Sequence, residues 1–153
     1  MATPTYDPIA SYTISSLTYS VTFANLDSVA SGYRDLVIAI NFGSSNAGDC
    51  TIEFNSDTGN KSDVYMFGDG SSASSGTTSQ LYAGFGAAGS SLIHIFDFAQ
   101  TDKHKTVISR FGHSTIGVQA RAGRWASTAA ITQVKLYQDF NAGTTISLYG
   151  IAA

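Results

Sequence analysis

Hydrophobic and polar residues alternate along much of this chain with the period of two that half-buried β-strands show. The segment 132–137 is a clear case, because Val134 and Leu136 fall on one face while Gln133 and Lys135 fall on the other. No stretch keeps the apolar spacing of an amphipathic helix over three turns. The pattern therefore predicts an all-β protein.

A hairpin that closes the fold is predicted near the C-terminal end, and the rest of the chain is organised around it. The strand 132–137 is followed at 139–143 by turn-forming residues, where Gly143 is free to adopt a positive φ. After this turn, Ile146 and Leu148 share one face of a final strand. We expect pairing and burial to hold that strand in place.

The strongest early strand is predicted at residues 33–42, where Leu36 and Ile38 lie on one face and Val37 and Ala39 make the other face apolar too. A strand that is apolar on both faces is covered on both faces. Further strands are predicted at residues 9–13, 19–23, 50–54, 63–67, 81–85, 91–98, 105–112 and 116–121.

The segments between these strands are rich in Gly, Ser, Asn and Asp, at 43–49, 55–62 and 68–80 in particular. Residues 24–32 predict a turn or a single helical turn that a glycine ends. Roughly ten strands, with a turn signal every ten or so residues, are typical of a sandwich or a barrel. We predict an antiparallel two-sheet β-sandwich of the jelly-roll type. An immunoglobulin-like sandwich is the alternative, weakened by the absence of paired cysteines.

The domain organisation is predicted to be simple. Residues 1–8 contain both prolines of the chain, Pro4 and Pro8, which favour extended backbone and donate no backbone hydrogen bond. We predict an extended N-terminal arm at 1–8, either disordered or packed on a neighbouring subunit, and a single β-sandwich domain at 9–153.

The charge of the chain argues against nucleic acid as a partner. The formal net charge is −3, and only eight residues are Lys or Arg, too few for the clustered basic face of a nucleic-acid-binding protein. Charged residues make up 12% of the chain, about half of the usual quarter, so the polar surface consists mainly of Ser, Thr, Asn and Gln. Such a surface is either covered by neighbouring subunits through its aromatic residues or simply solvated.

The single cysteine predicts a fold that does not depend on disulfides. Cys50 has no partner for an internal bond, and its place beside Ile52 and Phe54 indicates a buried small hydrophobic residue. The first residues lack the features of a signal peptide, and no apolar run approaches the length of a membrane span. We expect a protein that is made in a reducing cytoplasm and does not enter a membrane.

Two short motifs look like ligand sites and are better explained as turns. The segment 84–89 has the spelling of a dinucleotide-binding loop, but a strand pattern follows it instead of the helix that would receive the pyrophosphate. The segment beginning at Asn55 and Asp57 resembles a calcium loop, yet Asn60 and Met66 occupy the positions where an EF-hand needs Gly and Glu. A glycine-rich turn and an Asx-rich turn are predicted, with an unusual ion site as the weaker alternative at the second.

No catalytic constellation stands out, and we predict no cofactor and no metal ion. The three histidines, His94, His104 and His113, do not share metal-ligand spacing, and the chain has one glutamate, Glu53. Asp97 with His94 or His113 and one of the many serines would be needed for a triad, but abundant serines make such groupings easy to imagine. The sequence favours a protein without enzymatic activity.

Trp125 is the only tryptophan, and it follows Arg124 directly. Its indole would stack on a sugar or on Arg124 if it were exposed, which suits a glycan-binding module. The alternative is an anchor in the core or at its rim, beside the closing hairpin.

The chain also resembles a family of small all-β structural proteins of tailed bacteriophages, cyanophages among them. The resemblance is carried by Arg124-Trp125, the segments 128–131 and 147–151, and earlier stretches at 54–59 and 68–76, with further support from the strand at 93–98 and the residues after it. Together these cover roughly two thirds of the chain. Members of the family are decoration (cement) proteins of the capsid or terminal domains of tail proteins.

This resemblance implies a protein of the virion, on the capsid surface, made in the host bacterial cytoplasm. The expected function is that of a decoration protein, whose expected partners are the major capsid protein and sister copies in a trimer. A tail-associated receptor- or glycan-binding module is the alternative. The candidate contact residues are Tyr6, Pro8, Asp69, Arg124, Trp125 and Tyr149.

Overall fold

The computed structural model describes residues 5–43, 48–85, 88–113 and 115–152, and within them the chain forms twelve β-strands and one short 3-10 helix. The strands are β1 (Tyr6–Thr13), β2 (Thr18–Phe23), β3 (Tyr33–Asn41), β4 (Asp49–Phe54), β5 (Lys61–Gly68), β6 (Ala73–Thr78), β7 (Leu81–Phe85), β8 (Gly89–Ile95), β9 (Lys105–His113), β10 (Gly117–Trp125), β11 (Val134–Phe140) and β12 (Thr145–Ala152), with the helix at Leu26–Val29. The all-β prediction is confirmed, as is the single helical turn.

The strands form two antiparallel sheets that pack face to face. The large sheet has the order β1-β12-β3-β8-β9-β10-β5-β6, and the small sheet has the order β2-β11-β4-β7. Without β5, β6, β9 and β10, the remaining eight strands form two four-stranded sheets with the orders β1-β12-β3-β8 and β2-β11-β4-β7. That is the strand order of a jelly roll, so the predicted sandwich architecture is confirmed.

Two inserted hairpins extend the large sheet well beyond the jelly roll. In the sequence, the hairpin β5–β6 is inserted between β4 and β7, which are strands of the small sheet. The hairpin β9–β10 is inserted between β8 and β11. Both hairpins join the large sheet on the side of β8, where β10 pairs with β9 and with β5. The small sheet gains no matching strands, so the large sheet extends past the small sheet on this side.

The core lies between the sheets and is built from the inward residues of both. Both strands of the predicted closing hairpin are present, but the hairpin itself is wrong because they do not pair with each other. Strand β12 lies between β1 and β3 in the large sheet, and β11 lies between β2 and β4 in the small sheet, so the turn between them connects the two sheets. The residues of β11 and β12 that point inward, Val134, Leu136, Ile146 and Leu148 among them, are fully buried.

The structure also differs from the sequence predictions in the N-terminal arm and in the loop 68–80. The predicted N-terminal arm is extended, but its last residues belong to the sheet, because β1 begins at Tyr6 and pairs with β12; residues 1–4 lie outside the described part. The predicted loop 68–80 contains β6, whose Ser, Gly and Thr residues have no apolar alternation and are recruited into the sheet by pairing with β5.

Candidate interaction surfaces

The polarity of β10 is reversed relative to that of an ordinary surface strand. Its inward residues include Gln119 and Arg121, which are buried, whereas Val118 and Ala120 point outward and are exposed. The same reversal occurs in the neighbouring β5, where Asp63 is buried and the apolar side chains of alternate residues face solvent. The inserted hairpins therefore place an apolar surface on the outside of the molecule.

We call this surface the outer face. It is the solvent side of the large sheet and is formed by the outward apolar residues of β3, β8, β9, β10 and β5, which are Ala39, Leu92, Ile108, Val118, Ala120, Ala122, Val64 and Met66. Cross-strand pairing joins them, since Ala120 lies opposite Met66 and Ala122 lies opposite both Val64 and Ile108. The result is an apolar patch on β9, β10 and β5, with Arg110 of β9 between Ala120 of β10 and Leu92 of β8.

The outer face is exposed and partly concave. Met66 is 68% exposed, Val118 63%, Val64 54% and Ile108 44%, values far above those of the core. The strands β12, β3, β8, β9, β10 and β5 enclose a depression of about 950 Å³ on this side of the sheet. Arg110 is the charged residue that lines it. Exposed apolar patches of this kind mark sites of protein–protein contact.

Three of the residues predicted to make contacts lie together at the β1 end of the large sheet. Pro8 pairs with Tyr149, and Tyr6 pairs with Ile151. Tyr6 is 53% exposed, Pro8 is exposed, and Tyr149 is half-buried and lines the depression. The structure thus places Tyr6, Pro8 and Tyr149 beside the outer face.

The other two exposed candidates lie apart from that group. Arg124 projects from β10 on the same side as Val118, while Asp69 is at the tip of the β5–β6 hairpin. The Asp69 carboxylate accepts hydrogen bonds from the backbone N–H groups of Ser72 (2.6 Å) and Ser71 (2.8 Å). These bonds hold its pKa below the ordinary value and show that Asp69 stabilises the turn itself.

Trp125 is not at the surface, and its prediction as a contact residue is corrected here. It is 2% exposed and its ring lies 5.6 Å from that of Phe54. The indole N–H donates to a carboxylate oxygen of Asp57 at 2.8 Å. Trp125 is the core anchor that the sequence offered as the alternative, because the alternation of β10 turns it inward.

The segment after β4 is the predicted Asx-rich turn. The side-chain oxygen of Asn55 accepts hydrogen bonds from the backbone N–H groups of Thr132 (2.9 Å) and Gln133 (3.1 Å). The Asp57 carboxylate accepts from Asn60 and Trp125 side chains and from a backbone N–H, so its pKa lies below the ordinary value. Its oxygens are directed at donors within the chain. No group of three metal-ligating side chains occurs in the part of the chain that the structure describes.

A buried ion pair lies under the inserted hairpins. Arg121 donates to Asp63 at 2.8 Å, with the two side chains only 6% and 1% exposed. The guanidinium also donates to Gln119 and lies over the rings of Tyr82 (4.1 Å) and Tyr65 (4.8 Å). Sequence reasoning did not single out this cluster. The polar residues at the inward positions of β10 were the signal that predicts it.

A small cleft opens beside this ion pair. It has a volume of about 320 Å³ and is lined by Asp49, Tyr65, Tyr82 and Arg121 among others. Burial raises the pKa of the Asp49 carboxyl group, and the positive charge of Arg121 opposes this effect. The cleft combines aromatic rings, a carboxylate and a guanidinium, which is a chemistry suited to a polar ligand.

The histidines do not assemble the triad that the sequence analysis considered. His94 lies 3.1 Å from Asp35, which is fully buried and also accepts hydrogen bonds from Arg34 and from the backbone N–H of Asp97. The Asp97 carboxylate contacts Lys103 instead of a histidine. The ring of His113 accepts backbone hydrogen bonds from the turn that follows β9. Each of these groups has a structural partner.

The remaining sequence predictions for single residues concern burial and turns. Cys50 is completely buried and burial raises the pKa of its thiol, as expected of a small hydrophobic residue. Within 84–89, β7 ends at Phe85 and β8 begins at Gly89, so the segment connects two strands; residues 86–87 lie outside the described part. None of the described helical residues forms a helix long and apolar enough to cross a membrane.

Comparison with known proteins finds only distant structural likeness. No protein-family model matches the chain, and no curated protein is similar to it in sequence. Solved structures that it resembles include SCP-B, a member of the eqolisin family of peptidases, in a complex with a tripeptide (9% identity, TM-score 0.30), and scytalido-glutamic peptidase with a transition state analog inhibitor (8% identity, TM-score 0.29).

The alignments cover 89% of this chain but only 65% and 66% of those two proteins. This chain thus spans less than two thirds of their length, and TM-scores near 0.3 carry no argument about its activity. The class that the structure itself defines is a jelly-roll β-sandwich with an extended large sheet and an exposed apolar outer face.

Proposed function

We propose that this chain is a non-enzymatic structural protein of a bacteriophage virion, a decoration protein that binds the assembled capsid through its outer face and stabilises the shell. The observation that carries the proposal is the reversed polarity of the inserted hairpins. Arg121 and Asp63 are buried while Val64, Met66 and Val118 are exposed. A strand whose outer side faces only water would be more stable with charged residues outside and apolar residues inside. A partner that covers the outer face explains why these strands have the opposite arrangement.

The residues of the outer face indicate which side chains a complementary partner surface carries. The partner presents apolar side chains to Met66 and Val118 and an acidic group to Arg110. Complete burial of a side chain such as Val or Met contributes about 1.5–3 kcal/mol relative to full exposure, so covering the four most exposed residues of the face favours the contact. The proposed partner is the major capsid protein.

The mechanism is mechanical. A sandwich that binds only the assembled lattice stabilises that lattice by mass action, because opening the shell then requires the added contacts to break. Many copies acting together turn contacts of moderate affinity into a strong bridge between capsid subunits. The resemblance to the phage structural proteins also implies that three copies of this chain form a trimer, and this stays a prediction.

The first test is the copy number of this chain in purified virions, measured by quantitative mass spectrometry against the major capsid protein. A ratio near one copy per capsid subunit is expected. Absence from the particles would overturn the proposal, and a number typical of tail proteins would move it from the capsid to the tail.

A second test locates the contact. Co-sedimentation with assembled capsids is expected for the unmodified chain and is expected to be lost in Met66→Glu, which places a charge at the most exposed apolar residue of the outer face. The matched control is Ser16→Glu in the exposed turn between β1 and β2, which should co-sediment normally. Equal binding by both variants would exclude the outer face as the contact surface.

A glycan-binding module at the tail is the second candidate function. The arrangement that favours it is the cleft, where Asp49 lies with Tyr65 and Tyr82 around one small concave site. Aromatic rings pack on the apolar faces of sugars, and a carboxylate accepts hydrogen bonds from their hydroxyl groups. Trp125, which is buried, plays no part in this version of the hypothesis.

A glycan array followed by calorimetry tests the second candidate. Binding to a bacterial surface glycan is expected to weaken at least about tenfold in Asp49→Ala, as the loss of a charged hydrogen-bond acceptor predicts. Asp102→Ala, an exposed aspartate in the loop before β9, is the control and should bind normally. No binding to any glycan would remove this candidate.

A further inference from the structure

The two sheets have four edge strands, and these strands differ in how well they are protected against pairing with another chain. The large sheet ends in β1 and β6, and the small sheet ends in β2 and β7. An edge strand leaves half of its backbone N–H and C=O groups unpaired and is open to pairing with another chain. Soluble proteins commonly block such edges with proline, charge, a bulge or a covering side chain.

The edges formed by β1 and β2 are both blocked. In β1, Pro8 has no N–H group to donate, and the pairing register shifts between Pro8 and Ala10. In β2, the carbonyl group of Thr22 accepts a hydrogen bond of 3.2 Å from the hydroxyl group of Tyr12. A foreign strand would have to displace these features.

The edge formed by β7 is blocked by the opposite sheet. The carbonyl group of Tyr82 accepts a hydrogen bond of 2.7 Å from the Ser109 hydroxyl group. The next carbonyl, that of Ala83, accepts from the hydroxyl group of Ser91. Two consecutive carbonyl groups of β7 therefore already have partners, and the strand also packs beneath β9.

The edge formed by β6 carries none of these protections. Its sequence, Ala-Ser-Ser-Gly-Thr-Thr, contains no charge and no proline, and its register with β5 runs unbroken from Asp63–Thr78 to Gly68–Ala73. Among the described residues, none outside β5 makes a hydrogen bond to the backbone of β6. β6 is thus a flat, neutral strand with a free edge.

The pairing with β5 determines which backbone groups face outward. The N–H of Asp69 donates to the carbonyl group of Ser72 in the hairpin turn. Because hydrogen-bonded pairs alternate along an antiparallel ladder, the groups of Ser74, Gly76 and Thr78 are directed at β5. The N–H and C=O groups of the intervening residues, Ala73, Ser75 and Thr77, point away from the sheet.

We infer that β6 pairs with β6 of a second copy of this chain, antiparallel about a two-fold axis at Ser75. Ser75 then lies opposite Ser75 of the second copy, and Ala73 lies opposite Thr77, so that all three outward residues are paired in both copies. The strand is complementary to itself because it bears no charge that a second copy would repel. This inference does not depend on the proposed function.

The arrangement extends the outer face as well. Ser75 pairs with Met66 and Thr77 with Val64, so these side chains lie on the same side of the sheet as the apolar patch. Pairing through β6 joins two large sheets into one of sixteen strands, since each contributes eight. The outer faces of the two copies then lie side by side. The assembly is a dimer, in contrast to the trimer that the family resemblance implies.

Charge complementation at Ser75 tests the two-fold axis. We expect the unmodified chain to form a dimer in sedimentation velocity, and Ser75→Lys or Ser75→Asp to raise the dissociation constant at least about tenfold, since each places like charges in contact across the axis. An equimolar mixture of the two variants should restore a dimer. Ser71→Lys, in the hairpin turn beyond the strand, is the control and should dimerise normally.

Hydrogen exchange gives a readout that a general surface effect would not reproduce. The amides of Ala73, Ser75 and Thr77 should exchange quickly in dilute protein and slowly in concentrated protein, while those of Ser74 and Gly76 stay protected in both. A monomer at every concentration, or fast exchange at Ser75 in the concentrated protein, would overturn the inference. So would a dimer or trimer that persists in both charged variants, because its contact would lie elsewhere.

Discussion

Arg124 and Trp125 are neighbours in the sequence with opposite environments. The alternation of β10 turns Trp125 into the core, where it contacts Phe54 and donates to Asp57, and leaves Arg124 in solvent. From the sequence, both residues were candidate contact residues, and a core anchor was the alternative for Trp125. Only the direction of each side chain from the strand separates them.

Replacement of the indole tests the role of Trp125 in the core. Trp125→Phe should lower the free energy of unfolding by about 1–3 kcal/mol, because it removes the hydrogen bond to a carboxylate and leaves a small cavity. Urea denaturation measures the change. Arg124→Gln should stay within about 0.5 kcal/mol of the unmodified protein. A larger cost at Arg124 than at Trp125 would contradict the assignment.

Asp35 predicts how acid affects stability. Burial alone would raise the pKa of this carboxyl group, but hydrogen bonds from Arg34, from the backbone N–H of Asp97 and from His94 outweigh burial and hold the pKa below the ordinary value of an aspartate. A carboxyl group with a lowered pKa stabilises the fold above its unfolded value, and this contribution is lost as the pH falls through the folded value. The stabilisation is therefore complete near neutral pH.

The expected result is a pH-dependent difference between the protein and Asp35→Asn. At neutral pH the variant should be less stable by about 1–3 kcal/mol, as expected for hydrogen bonds to a buried charge. The difference should shrink as the pH falls from the ordinary pKa of an aspartate through the lowered pKa of the folded-state carboxyl group. Thermal unfolding from neutral to strongly acidic pH measures it, and a constant difference would contradict the role of the charge.

At the scale of elements, β10 and its neighbours explain why a polar pair lies inside the molecule. The inserted hairpins reach past the small sheet, so their inward side is only partly covered by β7. Arg121 and Asp63 fill this region together with Tyr65 and Tyr82. The ion pair therefore stabilises the contact between β10 and β5 in a region with few apolar core residues.

A double-mutant cycle tests this stabilisation. Arg121→Met should cost about 3–5 kcal/mol, because it leaves the Asp63 carboxylate buried without its cation. The double variant Arg121→Met with Asp63→Leu should recover most of that loss, since no charge then remains unpaired. Denaturant unfolding of the two single variants and the double variant gives the coupling. Additive losses would show that the two residues act separately.

At the scale of the whole molecule, the outer face is a second apolar surface in addition to the core. The core is covered by both sheets, whereas the outer face is covered by nothing in the described chain. A protein that buries its core residues almost completely but leaves Met66 and Val118 more than half exposed has two distinct uses for apolar side chains. One use is folding, and the proposed second use is assembly.

Matched substitutions on the two sides of the large sheet separate these uses. Val118→Lys should change the free energy of unfolding by no more than about 0.5 kcal/mol and should reduce binding of a hydrophobic dye, because Val118 is 63% exposed. Val107→Lys, at a position that is 3% exposed, should unfold the protein, since it buries an unpaired charge. A strong loss of stability in Val118→Lys would mean that the outer face belongs to the core.

Much of the fold was readable from periodicity. Each strand with apolar alternation was predicted at a segment that overlaps its observed position, because alternation records that one side of a strand is buried. β6 was missed for the same reason: its Ser, Gly and Thr residues show no alternation, and only its pairing with β5 makes it a strand. The jelly-roll type was predicted from strand count and turn spacing, whereas the strand order is seen only in the structure.

The sequence by itself determined the all-β class, the turn after β2, the burial of Cys50 and the last two strands, because each depends on local periodicity or local turn chemistry. Only the tertiary structure decided that Trp125 faces inward, that the apolar side of β10 faces outward, and that β6 is a free edge. A period of two separates the two faces of a strand without telling which face meets the other sheet. That choice is made by strand order, which brings together residues far apart in the chain.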